Sequence, residues 1–243
     1  MLESVEGVIL KITPYGETSK IINVFTKEYG IIGIICKGAL SIKSKYRSTT
    51  EKLTYGTFNI YYKKDKLSIL NTVDIINPLK KIKGDILLIS YASYISDLIY
   101  QVLKQAKDSK IYDDFINALI KIEEGLDPVV ITNILEVKLL DYLGVGLNLT
   151  SCIMCGNKKE IVTLSSEKGG LVCKNCYTDE RIIPISYVKV LNMYYLVDIK
   201  SISKLSIDKN IINEINRFIT SYYDDYTGLY LKSKDFLKTI QKL

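Results

Sequence analysis

The chain has no histidine and no tryptophan. Without histidine there is no Ser-His-Asp or Cys-His nucleophile arrangement, no imidazole general base and no imidazole metal ligand. A glycine-rich phosphate loop and a Walker-type lysine are also missing. The acid pairs Asp113-Asp114, Glu123-Glu124 and Asp224-Asp225 are adjacent in sequence. Neighbouring residues on a helix point in different directions, so these pairs read as solvated faces and not as catalytic carboxylates. The expectation is a protein that is not an enzyme. The opening residues, Met1 to Glu6, carry no basic segment followed by an apolar one, so no secretory signal is visible and a cytosolic protein is expected. The longest apolar stretch, from about Ile86 to Ile95, is broken by Ser90 and Ser93 and ends near Asp97. It reads as too short and too polar for a membrane span, and no membrane partner is expected.

What remains is a chain of 243 residues, 47% hydrophobic and 25% charged, sufficient for a sizeable core in one large or two to three small domains. The net charge is +6, and it is localised. Between Cys36 and Lys66 lie Lys37, Lys43, Lys45, Arg47, Lys52, Lys63, Lys64 and Lys66 against only Glu51 and Asp65. That window carries the whole excess, a positive field of the kind that attracts polyanions.

Four of the five cysteines form one array, Cys152-x2-Cys155, a gap of 17 residues, then Cys173-x2-Cys176. Two pairs at this spacing can bring four thiolates to one tetrahedral centre, and zinc suits such a four-cysteine shell. Gly156 follows the first pair and Gly169-Gly170 precede the second, and glycine permits the tight turns that aim sulfurs inward. A pair of disulfides, a catalytic dithiol and metal-free thiols are the competing readings. Disulfides belong mainly to oxidising compartments, and a catalytic dithiol needs one Cys pair beside a βαβ unit. A zinc ion held by four protein ligands would be structural, with no open position to activate water. The fifth cysteine, Cys36, sits in a strand pattern and reads as a small buried hydrophobe.

Residues 1 to 76 show strand patterns at Val5–Ile12, Ile21–Phe25, Ile31–Cys36, Phe58–Tyr62 and Leu67–Val73, separated by turn signals. Five short strands of this kind predict a small barrel, and the five-stranded Greek-key form is the OB-fold, a frequent binder of single-stranded nucleic acid. The basic loop Gly38 to Lys52 joins the third strand to the fourth, with Tyr46 between Lys45 and Arg47, and Tyr55, Tyr61 and Tyr62 follow. Cations interleaved with aromatic rings suit strand binding by phosphate contact and base stacking. A solvated loop with its tyrosines packed into the barrel fits the same residues. From about Lys83 the period changes to three and four. Helices are predicted from there to about Leu103, over Tyr112–Glu124 and from Asp127-Pro128 to Gly144. Further helices are expected from Pro184 to Val197, from an Asp208 cap to Tyr223, and from a Ser233 cap to Leu243.

Four blocks then stand out in order: Gly7-Val8-Ile9-Leu10 with Tyr15-Gly16-Glu17-Thr18-Ser19-Lys20-Ile21-Ile22; Cys36-Lys37-Gly38-Ala39; Leu135 to Gly144 running into the cysteine array; and Leu229-Tyr230-Leu231-Lys232-Ser233-Lys234-Asp235-Phe236-Leu237. Together they resemble the RecO family of bacterial recombination mediators, over nearly the whole chain. The resemblance implies an α+β protein: an OB-fold barrel at 1–80, a helical body at 81–150 and 181–243, and a zinc module at 151–180 inserted in that body. It implies a non-enzymatic DNA repair and recombination protein of the bacterial cytoplasm, associated with the nucleoid. Such proteins bind single- and double-stranded DNA, anneal complementary strands and act with RecR. They help RecA load onto DNA coated by single-strand DNA-binding protein, whose C-terminal tail contacts the helical body. The zinc ligands carry over to Cys152, Cys155, Cys173 and Cys176, although some members lack them. The DNA role carries over to Lys37 and the loop cations Lys43, Lys45 and Arg47. Lys63, Lys64 and Lys66 join the expected DNA face on charge. The chain departs from the family pattern at Leu40, where arginine is frequent, and at Leu53-Thr54-Tyr55-Gly56, where an L-Q-P-F-like segment stands. The alternative from another class is a zinc-ribbon adaptor that binds protein, with an incidental basic loop.

Overall fold

A computed structural model describes residues 1–105 and 111–242. The chain folds into two compact units, Met1–Glu123 with Leu231–Leu243, and Glu124–Tyr230.

The first unit is built on a closed barrel of β1 (Leu2–Tyr15), β2 (Ser19–Thr26), β3 (Gly30–Cys36), β4 (Tyr55–Tyr61) and β5 (Ser68–Asn77), ordered β1-β2-β3-β5-β4. Only β3 and β5 run parallel; the other pairs are antiparallel, with β4 closing onto β1. This is the expected OB-fold arrangement. It closes because β1 is long enough to serve two neighbours, pairing with β4 over Leu2–Val8 and with β2 over Gly7–Tyr15. Gly7 and Gly56 face each other where it changes partner. A Cβ on Gly7 would come within 2.6 Å of the Phe25 carbonyl oxygen, and one on Gly56 within 2.5 Å of that of Asp74. Only glycine admits so close a backbone approach. Alternate residues point inward, so Val5, Ile9, Ile22, Val24, Ile34, Cys36, Phe58, Ile60 and Leu70 fill the barrel. Cys36 is fully buried, and burial pushes its thiol up to about 12, which leaves it an unreactive apolar filler.

Four helices belong to this unit: α1 (Lys80–Gly84), α2 (Ile86–Gln105), α3 (Ile111–Glu124, whose last residue falls in the second unit) and, from the C-terminus, a helix over Lys232–Ile240. α3 covers one side of the barrel. Phe25 meets Tyr112 edge-on at 5.2 Å and Phe115 at 6.0 Å. The hydroxyls of Tyr55 and Tyr112 both donate to Glu6 Oε1, at 2.8 and 3.2 Å. The barrel boundary at residue 80 therefore marks a change of secondary structure within one unit. α2 is longer than its apolar core stretch, and its window Ile86–Lys104 is long and apolar enough to cross a membrane. Half of that window is buried, and α2 packs against α1, β1, β3 and the C-terminal helix, as a core helix does.

The five-residue α1 has no side-chain cap of its own, because it starts from Leu79 in a left-handed conformation. Glu123 of α3 supplies the acceptors: its carboxylate takes the backbone N–H groups of Lys81 and Ile82 at 3.0 and 2.9 Å. Glu123→Ala should therefore lower the unfolding free energy by about 1–2 kcal/mol, the usual loss of a helix cap, and Glu123→Gln, whose single amide oxygen can take only one of the two N–H groups, should recover only part of it. Chemical denaturation of the two variants checks this, and equal losses in both would contradict it.

The second unit holds α4 (Pro128–Tyr142), β6 (Asn148–Cys152), β7 (Ile161–Ser165), β8 (Gly170–Cys173), α5 (Ile185–Leu196) and α6 (Lys209–Tyr226). We label the C-terminal helix α7, which makes seven α-helices among the described residues. Asp127 and Asp208 cap α4 and α6 as the sequence predicts. Ser233 does not cap α7: Leu231 holds that position, and the serine lies inside the first turn. α6 is amphipathic, burying Ile212, Ile215, Phe218, Ile219, Tyr222 and Tyr223 on one face. Its Tyr223 hydroxyl donates to the Glu136 carbonyl of α4 at 2.8 Å, which fixes the two helices side by side. β6, β8 and β7 form a small sheet in that order, with β6 and β8 parallel.

Candidate metal centre and nucleic-acid interface

The first cysteine of each pair ends a strand, Cys152 on β6 and Cys173 on β8, and pairing of Cys152 with Leu171 brings the strand ends together. Each strand then enters a tight turn. Gly156 N–H donates to the Cys152 carbonyl at 2.8 Å, and Cys176 and Tyr177 N–H donate to the Cys173 carbonyl at 3.0 and 2.9 Å. Gly156 and Gly169 both take positive φ, 74° and 80°, which glycine adopts without strain. The result is that all four Sγ atoms lie within 4.8 Å of one another, with Cys155 and Cys173 3.6 Å apart. Tetrahedral sulfurs about 2.3 Å from a shared ion are spaced at roughly 3.8 Å, so this cluster can hold one metal ion.

The electrostatics also favour a cation. Burial works against ionising Cys152, but it is outweighed by the backbone N–H groups of Cys173, Cys155 and Met154, and the thiol falls to about 6. Cys176 is pushed up to about 12, first by its hydrogen bond with Cys155 and then by burial and its other sulfur neighbours. Cys152 forms a thiolate readily, and Cys176 needs a positive charge beside it to ionise. The module is clamped outside the sulfurs by Lys168, which pairs with Glu180 and donates to the Cys176 carbonyl at 3.1 Å. Lys168 holds the Glu180 carboxyl down at about 2, so this clamp stays charged wherever the thiolates do.

The predicted DNA residues lie on the barrel. Lys37, Lys43, Lys45, Arg47, Lys63, Lys64 and Lys66 are all exposed, and none is in an ion pair among the described residues. The two segments that carry them flank one seam. The basic loop is clipped at its start by Gly38 N–H to Ser19 Oγ (3.2 Å) and Leu40 N–H to the Thr18 carbonyl (2.8 Å), with Ala39 buried. Farther along, Tyr46 packs on the barrel and its hydroxyl donates to the Asn71 carbonyl of β5 at 2.7 Å. The turn bearing Lys63, Lys64 and Lys66 leads into the start of β5, three residues or about 10 Å from Asn71. The cations thus occupy two ends of the β3–β5 seam.

The tyrosines divide between the two readings of the sequence. Tyr46 and Tyr55 are structural, half-buried with bonded hydroxyls. Tyr61 is half exposed, and Tyr62 stacks on Tyr29 at 4.5 Å directly before Lys63. Two further ion pairs anchor the basic window and were not foreseen from the sequence. Buried Lys20 binds Glu51 at 2.8 Å, which ties the loop to β2, and Lys52 binds Asp97 of α2 at 2.8 Å. Both pairs join residues more than 30 apart in sequence, so no local pattern announces them.

Comparison with known proteins bears on the whole chain. Residues 1–79 match the family description Recombination protein O N terminal, and residues 83–235 match Recombination protein O C terminal. The DNA repair protein RecO of Bacillus subtilis (strain 168) is 31% identical over 247 residues, covering 100% of this chain and 96% of that protein. That of Bacillus pumilus (strain SAFR-032) has the same identity and coverage. The DNA repair protein RecO of Listeria monocytogenes (strain HCC23) is 29% identical over 245 residues, 99% of this chain and 96% of that protein. With an OB-like barrel, a four-cysteine cluster at the expected positions and matches along its full length, the chain belongs to the RecO family of DNA repair proteins.

Proposed function

We propose that this protein is a non-enzymatic mediator of recombinational repair that binds single- and double-stranded DNA and anneals complementary strands. The observation that carries the reading is the set of seven exposed cations at the β3–β5 seam that have no acidic partner among the described residues. Two complementary strands repel through their phosphates. A cationic surface lowers that repulsion and raises the local strand concentration, so pairing nucleates sooner, and no covalent step is required. Lys37, Lys43, Lys45, Arg47, Lys63, Lys64 and Lys66 take phosphate, and Tyr61 is placed to meet a base. The barrel at 1–80 is the DNA-binding part. The helical segments 81–150 and 181–243 meet RecR and the C-terminal tail of single-strand DNA-binding protein, so that RecA loads on the DNA so exposed. These events belong to the bacterial cytoplasm, at the nucleoid. The module at 151–180 holds one structural zinc. Four soft sulfur donors in a tetrahedral cage favour that ion, and the closed shell leaves it no catalytic position.

Annealing of two complementary oligonucleotides across a salt series, without nucleotide, tests the reading. Acceleration at low salt that fades as salt rises is expected. No acceleration by folded, metal-loaded protein would overturn the reading in favour of a protein-binding adaptor.

A further inference from the structure

The metal module has a surface that structural support does not require. Between its first two cysteines, Ile153 is 39% exposed and Met154 62% exposed. Tight turns tend to carry polar residues, and here the tip is apolar. Around it stand Lys158, Lys159 and Lys174, all exposed and none in an ion pair among the described residues. They come from both cysteine turns but share one place. Lys174 N–H donates to the Glu160 carbonyl at 2.9 Å, directly after Lys158-Lys159, and Lys159 N–H donates to Asn157 Oδ1 at 2.9 Å. Cys152 N–H donates to the Asn157 carbonyl at 2.8 Å, and Ile153 N–H to the Leu171 carbonyl at 2.8 Å, so the tip is rigidly held. The one acid in the segment, Glu160, leaves the patch with a net positive charge. A preformed apolar tip rimmed by exposed ammonium groups matches a single-stranded polyanion: base faces make apolar contact with the tip, and phosphates meet the lysines.

We infer that the tip of the metal module, Ile153 and Met154 with Lys158, Lys159 and Lys174, is a second nucleic-acid site that holds a single strand. This rests on the annealing function proposed above and gives it a physical form. An annealer has to hold two strands, and one chain then carries a surface for each, the barrel seam for the first and the module tip for the second. Contact through phosphates and the apolar faces of bases is tolerant of sequence, as annealing any complementary pair demands.

The test uses the full-length, metal-loaded protein and a short homopyrimidine oligonucleotide, titrated to saturation and followed by annealing rates. The wild type should take up two equivalents. The triple variant Lys158→Gln, Lys159→Gln, Lys174→Gln should keep its metal and its first equivalent. The second equivalent should lose about 2 units of salt slope, three contacts at roughly 0.7 each. Met154→Ser, which leaves the charges in place, should weaken the second equivalent roughly fivefold, the loss of about 40 Å² of apolar contact with a base. Annealing should slow in both. A metal-replete triple variant that retains the second equivalent and anneals at the wild-type rate would overturn the second site while leaving the annealing function standing. A wild type that neither binds nor anneals would remove the function itself.

Discussion

Replacing Cys173 by serine is expected to have the largest effect of any single substitution, emptying the metal centre and unfolding the small sheet around it. Cys173 ends β8, lies 3.6 Å from Cys155 and accepts on its carbonyl the two N–H groups that shape the second turn. A serine hydroxyl is a poor ligand for a soft dication, and three thiolates crowded within 4.8 Å of one another would repel without it. Removing one partner from a buried set of charges costs about 3–5 kcal/mol. At about 2–4 °C per kcal/mol for a chain of this size, the melting midpoint should fall by on the order of 10 °C. A chelator added to the unmutated protein should reproduce the shift, and Cys36→Ser should leave the metal content unchanged. Metal analysis and thermal melting decide the matter: a Cys173→Ser protein with a full complement of metal and the wild-type midpoint would show that the cluster is not the centre we take it for.

The second large effect concerns the basic loop. Lys43, Lys45 and Arg47 are exposed, and the loop that carries them is pinned by buried Ala39, by Tyr46 on Asn71 and by Glu51 on Lys20. Neutralising the three to glutamine removes charge without disturbing those anchors. Binding should weaken alike for all sequences, and the slope of log affinity against log salt should flatten by about 2–3 units, between 0.7 and 0.9 per lost phosphate contact. A slope equal to the wild type would remove these three residues from the DNA face. Tyr46→Phe is the complementary control. It frees the Asn71 carbonyl and loosens the loop but leaves the charge in place, so affinity falls while the slope holds.

Much of this protein is legible in its residues. Alternating burial in Phe58 and Ile60, the Asp127-Pro128 cap and the paired cysteine spacing are local signals, each set by interactions within a few residues or by one repeated motif. The barrel, most of the helices and the metal cluster could be read from them. Ser233 misled because a serine before an apolar run resembles a cap, whereas the docking of α7 beside α2 places the helix start at Leu231–Lys232.

Which elements keep company, and which charges remain free, is a property of the folded chain. Helical periodicity shows that a segment is a helix but not whose apolar face it covers, so the packing of α2 and α3 on the barrel and of α7 on α2 appears only in the fold. A lysine in the sequence is likewise a charge without an address. Lys20 and Lys52 are paired with Glu51 and Asp97, while Lys43, Lys45 and Arg47 face solvent with no ion pair among the described residues. The set of elements, the metal donor set and the positive excess follow from the order of residues alone, because they depend on composition and short-range pattern. The distribution of that excess follows from long-range contact, because an ion pair forms between residues that the fold, and not the chain order, makes neighbours.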